Sequence, residues 1–250
     1  MSHLKRLLLL SFTFYCGAVF CQDANFDPGK KFTVDQLRED FNFVRTELER
    51  KHPNLYLYTS KKILDVFLDS LYKNITTPLT ALEFYQHISV LNGKIKDGHT
   101  MFLPGEQVTN YYNQQAPFFP FFISVIKNKA YVRMNCSADS SIKEGAEIIA
   151  INRISMPDLL QQLISRQIRD GNNETYPAWI LSNYFKEYYS FSYGHAKQFS
   201  IRYKNSNDEV VTTIDALTKN SINVYKKLRH AKKALATTEG HGIFLETDQN

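Results

Sequence analysis

Four consecutive residues, Asp97-Gly98-His99-Thr100, carry the sharpest chemistry in the chain. Histidine changes charge near neutral pH, and a neighbouring carboxylate can hold its ring as a general base or proton shuttle. An aspartate at a helix C-terminus is itself unexpected, because the helix dipole disfavours an anion there. A structural account competes with the catalytic one. In it Gly98 supplies the left-handed residue that ends a helix, Asp97 folds onto nearby backbone amides, and His99 is a satisfied, semi-buried ring. Metal binding by the pair is not expected, since two ligands two residues apart do not make a site and no third is evident. The chain holds no G-x-S-x-G elbow, H-E-x-x-H, P-loop or G-x-G-x-x-G, so most other sequence signatures of chemistry are missing.

The elements around this tetrad read as helices on its N-terminal side. Thr33 and Gln36 form a capping box, and Val34, Leu37, Phe41, Val44 and Leu48 make one apolar stripe up to Lys51. His52-Pro53 stops that helix. Ser60 opens a second helix with Ile63, Phe67 and Leu71 as its buried face and Leu64 and Leu68 beside them. Thr80 and Glu83 box a third, striped by Phe84, Ile88, Leu91 and Ile95 and ending near Lys96. Three such helices bury their stripes on one another or on a neighbour.

From about Thr100 the pattern turns to strands. Phe118 to Ile126 is apolar and broken by Pro120, Lys127-Asn128-Lys129 is a hairpin tip, and Ala130 to Met134 returns. Gly145 turns the chain into a strand at Glu147 to Asn152, Asn152-Arg153 turns it out, and Ser155 caps a helix with Pro157 in its first turn. A helix is expected over 176–189, and Phe199–Tyr203 pairs with Val210–Ile214. The basic residues from Lys226 to Lys233 make a solvated helix face or linker.

The first 21 residues read as a signal peptide: Lys5-Arg6, then an apolar run from Leu7 to Phe20. That run is shorter than the roughly 20 residues that span a bilayer. Bulky Tyr15 and Phe20 argue against lipid on Cys16 or Cys21. The protein is therefore expected in the periplasm, on the cell surface or outside the cell. Without Lys5 and Arg6 the formal charge falls from +5 to +3, too small and dispersed to imply nucleic acid. Cys136 is then the only cysteine, which excludes an internal disulfide and a thiolate metal site.

The order of signal peptide, helical bundle, D-G-H-T and the run Gly145-Ala-Glu-Ile-Ile-Ala-Ile-Asn-Arg resembles the front half of a tail-specific (C-terminal-processing, tricorn-like) serine peptidase. The run is similar to the G-D-x-I-x-x-I-N-G segment of a PDZ domain, with Ala146 and Arg153 as departures. The resemblance implies an α+β chain: a bundle over 22–100, a PDZ-like domain over 101–217 with an insertion at about 170–198, and a linker over 218–250. It implies that the catalytic core lies beyond Asn250, so the nucleophilic serine is not in the chain and no unaided turnover is expected. His99 becomes an assisting base and Asp97 its orienter. Partners would be peptide or protein C-terminal segments and the missing core, with no metal or organic cofactor and no membrane span after signal removal. The stretch Phe118, Phe119, Phe121, Phe122 and Ile123 either lines a peptide groove or fills the core between bundle and sheet. The alternative function is a secreted, non-catalytic peptide-binding protein or a decayed peptidase remnant.

Overall fold

A computed structural model describes residues 26–205 and 208–242. The leader expected over 1–21 and the residues after 242 lie outside the described residues. Strand β1 (Lys31–Phe32) leads into helix α1 (Val34–Lys51). Thr33 Oγ1 accepts from the Gln36 N–H while the Gln36 side chain accepts from the Thr33 N–H, the reciprocal pair that T-x-x-Q spacing announces. Helix α2 (Lys61–Lys73) follows, then β2 (Leu79–Thr80), which pairs with β1. A second complete capping box, Thr80 with Glu83, opens α3 (Ala81–Ile88).

The third expected helix is two helices. It breaks at Ser89, and α4 (Val90–Ile95) continues. The break is filled from far along the chain: the Arg166 guanidinium donates to Gln86 O at 2.6 Å and to Ser89 Oγ at 2.7 Å. A cation thus satisfies the carbonyl end of α3, where the dipole favours it.

Leu37 and Phe41 of α1, Leu64 and Leu68 of α2, and Leu91 and Ile95 of α4 share one core. The expected α2 face is corrected here: Ile63 is 53% exposed, and the buried face runs through Leu64, Leu68 and Leu71. Both sets satisfy the helical period and share Leu71, so spacing could not separate them. Outside this core, Arg45 of α1 reaches Asp69 at 2.6 Å and Asp65 at 3.5 Å on α2.

Helix α5 (Glu106–Gln115), absent from the sequence reading, precedes β3 (Pro117–Phe118). Then come β4 (Phe121–Ile126), β5 (Lys129–Asn135), β6 (Glu147–Ile151) and β7 (Ile154–Ser155). Helices α6 (Met156–Ile164) and α7 (Thr175–Tyr193) follow, then β8 (Gln198–Asn205), β9 (Asp208–Asp215), β10 (Leu217–Thr218) and α8 (Lys219–Gly242). The main sheet runs β4-β5-β6-β8-β9, with β7 on β6, and its pairings are antiparallel. Two of its turns, among the described residues, are of one kind. Lys127 and Asn128 (φ 49° and 58°) join β4 to β5, and Asn152 and Arg153 (φ 48° and 69°) join β6 to β7. Two consecutive positive φ angles match the twist of the flanking strands, so Arg153 adopts the conformation for which glycine is the common choice.

Ser155 Oγ accepts from the Asp158 N–H and caps α6, with Pro157 in the first turn. Helices α6 and α7 pack Leu160, Leu163, Leu181 and Phe185 against Phe119, Ile148 and Phe199. Helix α8 begins where a linker was expected, and its Ile222 is buried with Phe118 and Cys136. The architecture is mixed α+β.

Candidate functional site

Helix α4 ends on Lys96, which holds the left-handed conformation (φ 62°) as its C-cap. Gly98 is therefore not the helix stop, and its φ is not among the positive values. Glycine stands there for space. A Cβ on Gly98 would lie 2.8 Å from Asp170 Oδ1, and the Gly98 N–H donates to that oxygen at 3.0 Å. Two further bonds join the same loops: Gly171 N–H to Lys96 O at 3.0 Å and Lys96 Nζ to Asn172 Oδ1 at 2.7 Å. The exit of the helical part and the loop between α6 and α7 are thereby held together.

Asp97 Oδ1 accepts from the His99 N–H at 2.6 Å, the local turn its residue type favours. Its Oδ2 lies 3.1 Å from Nε2 of His52, whose side chain is only 4% exposed. His52 is the C-cap residue of α1. Its Nδ1 accepts from the Asn54 N–H at 3.1 Å, which leaves the ring proton of the neutral form on Nε2, facing Asp97. So the anion at the end of α4 has a buried imidazole opposite it. Sequence reasoning took His52 for a helix stop and missed this pairing, which joins residues 45 positions apart.

His99 is not semi-buried: its side chain is 95% exposed, with Nδ1 3.5 Å from Asp97 Oδ1. The ring borders a groove of about 670 Å³ shared with Phe43, Leu48, His52, Met101 and Phe102. The chain after His99 forms no strand at Thr100. Asn92 replaces one: its Nδ2 donates to Phe102 O at 3.0 Å and its Oδ1 accepts from the Phe102 N–H at 2.7 Å. Asn92→Ala should leave both Phe102 groups unpaired and cost about 2 kcal/mol. Urea denaturation measures the loss, and faster hydrogen exchange at the Phe102 amide locates it.

The expected peptide-binding residues divide. Phe118, Phe119, Phe121 and Ile123 are fully buried and belong to the core. Phe122 borders a cavity of about 690 Å³, with Arg133, Met134, Tyr184, Lys226 and Arg229. Lys186 and Lys226 place their ammonium groups 4.7 and 5.3 Å from the centre of its ring. The β4 edge beside these residues is engaged as well, since the Val125 N–H donates to Ser182 Oγ of α7 at 2.9 Å. The open edge is β9, which among the described residues pairs only with β8 and is largely exposed.

Cys136 is free and buried, and burial pushes its thiol pKa up, the opposite of an activated nucleophile. Among the described residues no serine hydroxyl is hydrogen-bonded to a histidine. A third group able to ligate a metal, which sequence spacing did not show, stands beside Asp97 and His99: Asp170 brings a ligand atom within 4.8 Å of theirs. Among the described residues no helix is long and apolar enough to cross a membrane.

No family model and no curated protein matches the sequence. Distant structural likeness is found to CPAF. Mature CPAF matches with TM-score 0.45 and 13% identity over 73% of this chain and 34% of its own. Mature CPAF complexed with lactacystin gives 0.48 and 12%, over 73% and 35%. A CPAF mutant gives 0.47 and 14%, over 74% and 34%. The chain thus spans about a third of the length of each. Likeness at this level carries no residue's role across.

Proposed function

We propose that this chain is the peptide-presenting, histidine-bearing part of an exported serine-type peptidase of the tail-specific kind. The observation that carries the reading is the setting of His99. Its backbone is anchored through Asp97, and the neighbouring Gly98 through Asp170, while its imidazole stands almost wholly in solvent beside an apolar groove. A general base must reach a reacting group from a fixed support, and this geometry offers that. The serine nucleophile would be presented to His99 by polypeptide other than the described residues. Asp97, already opposite His52, would fix the loop more than the imidazole. Peptide capture would use strand addition along the open edge of β9, in place of the buried Phe118, Phe119, Phe121 and Ile123.

The same open edge favours a second reading, a secreted protein that binds extended peptides without cutting them. The test compares the full-length natural polypeptide with its His99→Ala counterpart. Serine-directed fluorophosphonate labelling and peptide hydrolysis should fall by about 10²- to 10⁴-fold in the variant, the range of a lost general base, with circular dichroism unchanged. Wild-type rates in the variant would remove His99 from the chemistry. No labelling of either protein would end the peptidase reading and leave the binder.

A further inference from the structure

The geometry points to a divalent transition-metal site built from Asp97, His99 and Asp170, backed by His52. The three groups come from two loops far apart in sequence, and one ligand atom from each lies within 4.8 Å of the others. An imidazole nitrogen with two carboxylate oxygens is a donor set suited to Zn²⁺ or Co²⁺, with water completing the shell. Two carboxylates also balance the charge of the ion.

A second observation bears on the same place. His52 is 4% exposed, and its Nε2 points at Asp97 Oδ2 from 3.1 Å. Yet this nitrogen makes no aligned hydrogen bond and counts among the buried polar atoms without a hydrogen-bond partner. A buried donor aimed at a carboxylate without completing the bond is a costly arrangement. It becomes useful if the carboxylate is drawn round to a cation. The Nε2–H then bonds the liganding carboxylate from behind, the role outer-shell groups play at metal centres. His52 cannot itself be a ligand in this tautomer, because its other nitrogen accepts from Asn54.

Bringing the ligand atoms to metal distance requires little. Tetrahedral bonds of about 2.0–2.2 Å place ligands about 3.4 Å apart. His99 has no packing to lose, and Asp170 keeps one oxygen on the Gly98 N–H. The loops are already joined by the Lys96–Gly171 and Lys96–Asn172 bonds, so the ion would find both in place. Gly98 serves the site directly, because any side chain there would displace the Asp170 carboxylate. The site does not rest on the peptidase reading, and an ion held on the His99 imidazole takes up its lone pair, so bound metal would silence His99 as a base.

The test is Zn²⁺ titration of the 250-residue chain in competition with a chromophoric chelator. One equivalent should bind, and His99→Ala and Asp170→Asn should each weaken that binding by about tenfold or more. Asp170→Asn retains an oxygen for the Gly98 N–H, so a loss of affinity there reports the missing charge and not an unfolded loop. His230→Ala, an exposed histidine elsewhere, should bind as wild type. Co²⁺ in place of Zn²⁺ should perturb the His99 ring signals in NMR before any other histidine's. Equal affinity of wild type and His99→Ala would overturn the site, as would the absence of stoichiometric binding.

Discussion

Gly93→Ala should destabilise the protein by about 3 kcal/mol, at the upper end of what one extra methyl does in a packed interior. A Cβ on Gly93 would lie 1.9 Å from Ser165 O and 2.8 Å from Ser165 C. Both are backbone atoms, so no side-chain rotation relieves the clash. Ser165 has little freedom to retreat. It is the C-cap of α6, its N–H donates to Gln161 O, and the next residue, Arg166, is fixed to Gln86 and Ser89. Alanine would gain about 1 kcal/mol of helix propensity within α4, and the clash must exceed that gain. Urea unfolding of Gly93→Ala against wild type gives the difference. Gly105→Ala is the control, because nothing lies within 4 Å of the added methyl; it should shift stability by less than about 1 kcal/mol. A Gly93→Ala protein as stable as wild type would mean that α4 and the end of α6 do not touch, and the placement of Asp170 beside His99 would go with them.

That contact marks the limit of what the sequence made legible. Signals that act within a few residues were readable: the boxes at Thr33 and Thr80, the Ser155 cap with Pro157, and the turns at Lys127-Asn128 and Asn152-Arg153. Each is a local bond or a local φ, and local chemistry is written in adjacent letters. The candidate site was legible only in its first half. D-G-H-T flagged Asp97 and His99, but the reason for each residue lies elsewhere in the chain. Asp97 answers to His52, Gly98 to Asp170, and the broken third helix to Arg166. None of these pairings has a spacing that periodicity can detect. The α2 face failed for another reason, because two apolar stripes shared the helix and only its neighbours chose between them. Composition could not decide the stretch after Ala116, where a run of phenylalanines is as consistent with a core as with a groove.

The choice between core and groove gives the largest expected effect. Phe119→Ala should cost about 4 kcal/mol, in the range for truncating a fully buried phenylalanine. Phe119 is 0% exposed and stands at the centre of an aromatic cluster. Its ring centroid lies 5.1 Å from Phe121, 5.2 Å from Phe199 and 5.5 Å from Phe185, each near edge-to-face, and Tyr189 stacks at 6.4 Å. Such pairs add roughly 0.5–1.5 kcal/mol apiece beyond the area they bury. The cluster joins β4, β8 and α7, so emptying its centre loosens the sheet from its covering helix. Near-UV circular dichroism should fade in Phe119→Ala at temperatures where far-UV signal persists. Phe119→Leu, which keeps most of the volume, should cost much less and remain measurable if the alanine variant does not fold. Phe122→Ala gives the contrast: its ring borders the open cavity under Lys186 and Lys226, and its loss should cost about 1 kcal/mol. A groove residue would behave in the opposite way, sparing the fold and abolishing peptide binding. If Phe119→Ala stayed within about 1 kcal/mol of wild type, the buried cluster would not be the core, and peptide capture would return from the β9 edge to the phenylalanine stretch.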